Sequence, residues 1–294
     1  MVNISVALAT YNGVLFLREQ LDSILNQTLQ AAEIIVCDDC STDGTWLVLR
    51  EYAEKYACFK LFQNDENIGF MRNFEKAMRL CSGDYIALSD QDDIWLPDHL
   101  QILLEGIGDK MCVVGDAELI DSKGFRMGHK LSYCENLDFI PENDLQKAYF
   151  ILFYRNQYQG ASMMFRATFL DKTLPIPGDV EYHDSWLVFV ACFYGFQPLR
   201  EVVTLYRRHD KAVTGNKIRK IRLRALVYHL LFGRVDYRPM MVSAIKERID
   251  HLSKDQMAFL QKAEKYYSRK NSFLGRIVNF IFELRYYKLI YGCK

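Results

Sequence analysis

No stretch of about 18 uncharged apolar residues occurs in this chain of 294 residues, so no membrane-crossing helix is expected. The opening MVNISVALATYNG has neither a basic n-region nor a long apolar h-region. No signal peptide is therefore expected there. The eight cysteines are scattered through mostly apolar surroundings, which suits reduced, buried thiols better than a disulfide framework. Cys37 and Cys40 form a C-x-x-C, but no second pair accompanies it, so a zinc site is not expected. No internal repeat or low-complexity linker is visible. No G-x-G-x-x-G follows the first apolar run, which argues against a dinucleotide fold. Residues Thr10–Gly13 also lack the Gly-rich, Lys- or Arg-bearing loop usual in nucleotidyl transfer.

What is present begins with a core: half of the residues are apolar, enough for one large domain or two smaller ones. The formal net charge is zero, but it is divided unevenly. Residues 1–214 hold 19 basic and 31 acidic side chains, a net of −12, and residues 215–294 hold 18 and 6, a net of +12. A basic tail of that size needs an acidic partner, or packs on the acidic part of its own chain. A boundary near 215 rests on this shift and on Gly215.

The first 115 residues alternate short apolar runs with helical spacing. Strands are expected at Ile4–Ala9, Glu33–Cys37, Phe59–Gln63, Tyr85–Ser89 and Met111–Gly115, with helical stripes between them. This alternation predicts an α/β fold with parallel strands, in which ligands bind beyond the carboxyl ends of the strands. Those ends carry Thr10-Tyr11-Asn12, Asp38-Asp39 and Asp90-Gln91-Asp92-Asp93. From 116 to 214 the pattern is less regular. Gly160–Phe165 and Leu199–Arg207 read as strands and Ser185–Tyr194 as a buried helix. Beyond 215 the chain reads as helical with basic faces.

Three carboxylates within four residues, Asp90, Asp92 and Asp93, repel one another unless a cation holds them. Mg²⁺ or Mn²⁺ takes one or two such carboxylates plus substrate phosphates. The competing reading is an acidic loop with Asp92 or Asp93 capping the next helix. Asp38-Asp39 could accept from a pyrimidine N3–H, while Ser41, Thr42 and Asp43 suit helix capping. Arg72 could meet a diphosphate as a planar fork or lie on a solvated helix face. Asp184 could act as a general base or sit at a helix start with His183. His209, after the last strand, is either a metal ligand or structural.

Together these segments resemble glycosyltransferase family 2. The likeness runs through Val6–Gly13, Leu25–Thr28, Asp38–Thr45, Asn67-Ile68-Gly69, Arg72-Asn73, Gly83–Ile86 and the D-x-D of Asp90-Gln91-Asp92. It implies the GT-A fold: Rossmann-like, with a mostly parallel central sheet, and here a C-terminal helical extension. The expected catalytic domain is 1–214, with a nucleotide-binding half at 1–115 and an acceptor-side half at 116–214. The basic helical region is 215–294.

The resemblance also implies roles. Thr10, Tyr11 and Asn12 line the nucleotide pocket, Asp39 reads the base, and Arg72 and Asn73 face the nucleotide. Asp90 lies near the ribose or the water shell, Asp92 and His209 hold Mn²⁺ or Mg²⁺, and Asp184 is the catalytic base of an inverting transfer. His183 stands where the family commonly has an acidic residue. The Ser89–Trp95, His183–Trp186 and Tyr206–His209 segments are similar to members labelled rhamnosyltransferases of bacterial surface polysaccharides. That implies a dTDP- or UDP-linked sugar donor, a glycan or lipid-linked acceptor, and no nucleic-acid partner. Nucleotidyl transfer and a non-catalytic nucleotide-sugar module are the alternatives.

In the tail, Leu274, Ile277, Val278, Ile281 and Leu284 follow helical spacing beside Arg276, Arg285 and Lys288. Phe280, Phe282, Tyr286 and Tyr287 add aromatic bulk. Such a face suits an anionic membrane surface, and packing on the acidic catalytic domain is the other reading. The expected location is cytoplasmic, with membrane contact peripheral.

Overall fold

The structure is a computed structural model and describes residues 2–131, 143–153, 156, 158–178, 180–210, 238–269, 275 and 277–279. Among these, nine strands form one sheet. Its first half alternates β1 (Ile4–Thr10), α1 (Leu17–Leu25), β2 (Glu33–Asp38), α2 (Thr45–Lys55), β3 (Phe59–Gln63), α3 (Phe70–Leu80) and β4 (Tyr85–Ser89). β1 lies between β2 and β4, and β3 pairs with β2, all parallel. Every residue of β1 and β2 is buried, as helices on both faces of a parallel sheet require.

Beyond β4 the sheet becomes mixed. The short β5 (Ile94–Trp95) leads into α4 (His99–Gly106), then β6 (Cys112–Ile120) and β7 (Arg126–Lys130). Helix α5 (Asp144–Phe153), β8 (Met163–Arg166), α6 (His183–Tyr194) and β9 (Phe196–Arg207) follow. β8 is antiparallel to β4 and β6, β9 is parallel to β6, and β5 is antiparallel to β9. The division expected after residue 115 therefore falls inside β6. That strand joins the two halves instead of separating them. β7, unexpected from the sequence, is an exposed edge strand paired with β6.

The pleat divides the core between the two faces. Ile4, Val6 and Leu8 of β1 pack with α1, α2 and α4, while Ala7 and Ala9 face α3 and α6. Helix α6 is buried almost all round because a third layer covers it. That layer is α7 (Arg238–Arg248) and α8 (Lys254–Ser268), whose Met241, Val242, Ile245, Leu260 and Ala263 join the α6 core. Arg248 donates to Thr173 O and Pro175 O and lies over the Trp186 ring. These two tail helices thus pack on α6 and the segment before it. The boundary near 215 lies outside the described residues. So do Leu274, Arg276, Phe280, Ile281, Phe282, Leu284, Arg285, Tyr286, Tyr287 and Lys288 of the expected apolar and basic face. Among the described residues no helix is long and apolar enough to cross a membrane. Six described cysteines, Cys37 and Cys40 among them, are free thiols.

At the edge of the sheet away from the ligand-binding end, Glu33 is buried. Burial alone would raise its pKa. Bonds from Lys60, Ser5 and Ser82 outweigh that and hold it at about 2. A depressed carboxylate stabilises the fold above its unfolded value and loses that contribution as pH falls through the folded one. Glu33→Gln is expected to cost about 2 kcal/mol at pH 7, measured by chemical denaturation. The penalty should shrink by at least half on going to pH 3. A penalty independent of pH would rule out the ionic contribution.

Candidate active site

The carboxyl ends of β1, β2 and β4 meet the end of β9 at one edge of the sheet, and the expected polar residues gather there. Asp38, at the end of β2, is fully buried. Its oxygens accept from Thr10 Oγ1 at 2.9 Å, Ser41 Oγ at 2.6 Å, Ser41 N at 3.0 Å and Gln63 Nε2 at 3.2 Å. One carboxylate thereby ties three parallel strands to the loop that follows. Thr10 is held inside this knot and is 2 % exposed. Asn12 adopts a left-handed backbone with φ of 48°, a conformation Asn tolerates. It receives the Thr42 N–H on its side chain at 2.8 Å and donates its own N–H to Ser41 Oγ at 2.9 Å. Asp43 accepts from Thr45 and Val14, so it braces the start of α2.

Tyr11 is exposed at the rim. Its backbone is gripped from both sides by Gln91, the middle residue of the D-x-D. Gln91 Oε1 accepts from Tyr11 N at 2.8 Å, and Gln91 Nε2 donates to Tyr11 O at 3.0 Å. A Cβ on Gly13 would lie 2.2 Å from Gln91 Oε1. A side chain at this position would displace the Gln91 amide from its clasp on Tyr11.

Asp39 is 1 % exposed and organises the next loop. It accepts from Asn64 Nδ2 at 2.7 Å, Ile68 N at 2.9 Å and Gly69 N at 2.9 Å. Asn73 is also buried, bonded to Cys37 O at 2.7 Å and Asn64 Nδ2 at 3.0 Å. Arg72 pairs with Glu75 at 2.9 Å and donates to Ile176 O at 3.2 Å. In this arrangement Asn73 and Arg72 brace α3 against its surroundings.

The acidic residues come together as the spacing suggests. Burial and the charges of Asp92 and Asp184 push the Asp90 carboxyl up to about 8. Asp184, in the first turn of α6, is raised to about 6 by burial, partly offset by hydrogen bonds from the Ser185 N–H and other donors. Asp184 therefore ionises first, and its charge opposes ionisation of Asp90. Asp93 caps no helix. It is fully buried, accepts from Arg207 N at 2.9 Å and Gln159 Nε2 at 2.7 Å, and has its pKa raised by burial and by Asp92 and Asp90. Asp92 meets His209, oxygen to Nε2, at 2.7 Å. The His209 ring packs on Phe16 with centroids 4.8 Å apart. His183 is buried and stacked on Phe74 at 4.1 Å, with both ring nitrogens unpartnered. Burial lowers its pKa to about 3, so it is neutral and supplies no second acid.

A carboxylate oxygen facing an imidazole nitrogen suits Mn²⁺, and Mg²⁺ accepts a single carboxylate when phosphates complete its shell. Among the described residues no group of three or more His, Cys, Asp or Glu side chains is arranged to hold a metal. The residues thus fit an ion completed by substrate, not an all-protein cage.

Sequence reasoning singled out His209 but passed over its neighbour Arg207, and did not foresee the work of Gln91, Gln159 or Phe16. Only Gln91 left a signal, because Gly13 and the D-x-D would have had to be read together. Gly13→Ala is expected to weaken nucleotide binding at least tenfold, since Gln91 must leave Tyr11 and about two hydrogen bonds go with it. Calorimetry with UDP and dTDP checks this; unchanged affinity would show the clasp to be dispensable.

Comparison with known proteins places this geometry. Over 99 residues the chain is 38% identical to EpsE of Bacillus subtilis, a candidate glycosyltransferase, covering 33% of this chain and 36% of that one. Over 109 residues it is 33% identical to TuaG of the same organism, a candidate teichuronic acid biosynthesis glycosyltransferase, covering 37% and 43%. The matches therefore span less than half the length of these curated relatives. In structure it resembles S. aureus TarS 1–349 in complex with UDP-GlcNAc, with a TM-score of 0.55 at 15% identity over 89% of this chain and 79% of that one. It also resembles the mannosyltransferase PcManGT from Pyrobaculum calidifontis in complex with GDP-Man and Mn²⁺, with a TM-score of 0.53 at 18% identity over 96% and 88%. These structures share the GT-A fold. A family profile matches residues 5–171, more than half of the chain, and the chain belongs to glycosyl transferase family 2.

Proposed function

We propose that this chain is an inverting, metal-dependent glycosyltransferase that moves a sugar from a nucleoside-diphosphate donor to a hydroxyl of a glycan or lipid-linked glycan. The observation that carries this reading is the meeting of Asp90, Asp92 and Asp184 at the carboxyl edge of the sheet, with Asp184 raised to about 6. A carboxylate in that range is largely ionised at neutral pH yet basic enough to draw a proton from a hydroxyl in the transition state. Capping alone would not bring Asp184 to Asp90 across the sheet.

In this reading the donor lies over the ends of β1 and β2. Tyr11 and Asn12 border the nucleotide, on a shape set by Thr10 and Asp38. Asp39 spends three acceptor positions on the loop after β3, and a carboxylate offers about four. One position remains for the N3–H of uracil or thymine. Arg72 stands near the far side of the loop after β3, and Asn73 holds that loop's base. Asp92 and His209 would hold Mn²⁺ or Mg²⁺, which when bound neutralises the departing diphosphate as a Lewis acid. Asp184 takes the proton of the acceptor hydroxyl as its oxygen attacks the anomeric carbon, and a single displacement inverts that centre.

The relatives favour a role in bacterial polysaccharide synthesis, since TuaG is named for teichuronic acid and another relative is the chondroitin synthase of Escherichia coli. TarS binds UDP-GlcNAc and PcManGT binds GDP-Man. Within that class we favour rhamnose, on the likeness of the His183–Trp186 and Tyr206–His209 segments to rhamnosyltransferases.

Asp184→Asn is expected to bind donor normally and to lose about 10²-fold or more in transfer, read as turnover against calorimetric affinity. Near wild-type turnover would place the base elsewhere. The wild-type kcat/KM should rise with pH to about 6 and then level, because the base must be ionised. A rate that falls over the same range contradicts this assignment. A calorimetric panel of UDP, dTDP and GDP tests the base pocket, and tighter binding of GDP would overturn the pyrimidine assignment.

A further inference from the structure

Asp92 and His209 stand far apart in sequence, on loops that leave β4 and β9. Something must fix their separation. The antiparallel ladder between β5 and β9 pairs Trp95 with Thr204 and Ile94 with Leu205, and there it stops. Continued in the same register, the next rungs would set Arg207 opposite Asp92. No backbone ladder joins that pair. The side chain of Arg207 does so instead.

Arg207 is only 1 % exposed. Its N–H donates to Asp93 Oδ1 at 2.9 Å and its Nε to Asp92 O at 2.8 Å. Nη1 makes long contacts of 3.5 Å with Asp121 O and Ser122 O in the β6–β7 turn, and Nη2 pairs with Glu19 of α1. The guanidinium lies over the Phe16 ring at 4.7 Å, and Phe16 in turn packs against His209. A buried guanidinium is costly unless its donors are satisfied. Here they are satisfied by the segments that carry or support both candidate ligands. The fork is planar and delocalised, so it reaches three segments at once, which the single ammonium of Lys cannot do.

We propose that Arg207 is the positioning residue of the metal site, holding the Asp92 backbone and, through Phe16, the His209 ring at the separation one cation can bridge. This rests on the metal reading given above. The contacts of Arg207 given above are all with groups of the protein. Its part is to keep two ligands in place before the diphosphate arrives, as groups outside a metal's own ligands commonly do.

The test uses the full chain, with Arg207→Lys, Arg207→Met and Glu19→Gln, and circular dichroism to check folding. Calorimetry measures Mn²⁺ binding in saturating UDP, then UDP binding in excess chelator; dTDP is run in parallel. Both Arg207 variants should lose about 10–100-fold in Mn²⁺ affinity and keep metal-free nucleotide affinity within about twofold. Lys should do no better than Met, and Glu19→Gln should show a smaller loss of the same kind. Wild-type Mn²⁺ affinity in Arg207→Lys would overturn the proposal, as would an equal loss of metal-free nucleotide binding, which marks general collapse of the edge. If both Arg207 variants fail to fold, Glu19→Gln and Phe16→Leu decide: undiminished Mn²⁺ affinity in these two overturns it. If the wild-type chain binds no Mn²⁺ in the presence of either nucleotide, the metal reading itself falls and this inference with it.

Discussion

Carboxylates that repel one another are gathered at a single sheet edge, and the architecture around them exists to keep them there. Asp90, Asp92, Asp93 and Asp184 come from the end of β4, the loop after it and the start of α6. Burial raises Asp90, Asp93 and Asp184, and neighbouring carboxylate charge raises Asp90 and Asp93 further. Like charges in a partly buried site are unfavourable unless protons, cations or donated hydrogen bonds offset them. The fold supplies some of each. Arg207 and Gln159 donate to Asp93 or its neighbour, His209 faces Asp92, and Ser185 caps Asp184. The remaining imbalance is what a divalent cation and a diphosphate would relieve together.

The ends of β1 and β2 are built on the opposite principle. There each acidic residue accepts several hydrogen bonds from the chain itself. Asp38 binds Thr10, Ser41 and Gln63; Asp39 binds Asn64, Ile68 and Gly69; Asp43 binds Thr45 and Val14. These carboxylates brace the loops that follow β1, β2 and β3. Gln91 links the two sides, since it belongs to the acidic loop and grips the backbone of Tyr11. The third layer supports the helix that carries Asp184. Arg248 of α7 and Trp186 of α6 both reach Thr173 O, shortly before the segment that carries Asp184.

Much of this was legible in the sequence. Strands β1 to β4 are apolar runs separated by amphipathic helices, so their order and the edge bearing the polar residues follow from periodicity. Asp90, Asp92, Asp184 and His209 do converge there. Other parts were not legible, for physical reasons. β6 extends past Gly115 because Asp116 and Glu118 alternate with buried Ala117 and Leu119, which hides the strand from a search for apolar runs. β7 is polar and wholly exposed, so nothing in its composition marks it. Asp38 and Asp39 have the same local sequence whether they bind ligand or loop, and only the partners reveal that both hold loops. Arg207 was hidden by expectation, since arginine is ordinarily exposed; its burial depends on carbonyls of two distant segments, at Asp92 and at Asp121-Ser122, and on the Glu19 carboxylate of a third. Asn73 sits one residue from Arg72 yet points inward, a distinction set by helix phase against β2.

The proposed function has the described residues offer a metal two ligands, Asp92 and His209, with a diphosphate completing its shell. Electron paramagnetic resonance of free Mn²⁺, titrated against the chain with and without UDP or dTDP, tests it most directly. Mn²⁺ should bind weakly to the chain alone and at least tenfold more tightly when the nucleotide is present, because the phosphates supply the missing oxygens. Equal affinity with and without nucleotide, or no binding in either case, would contradict it.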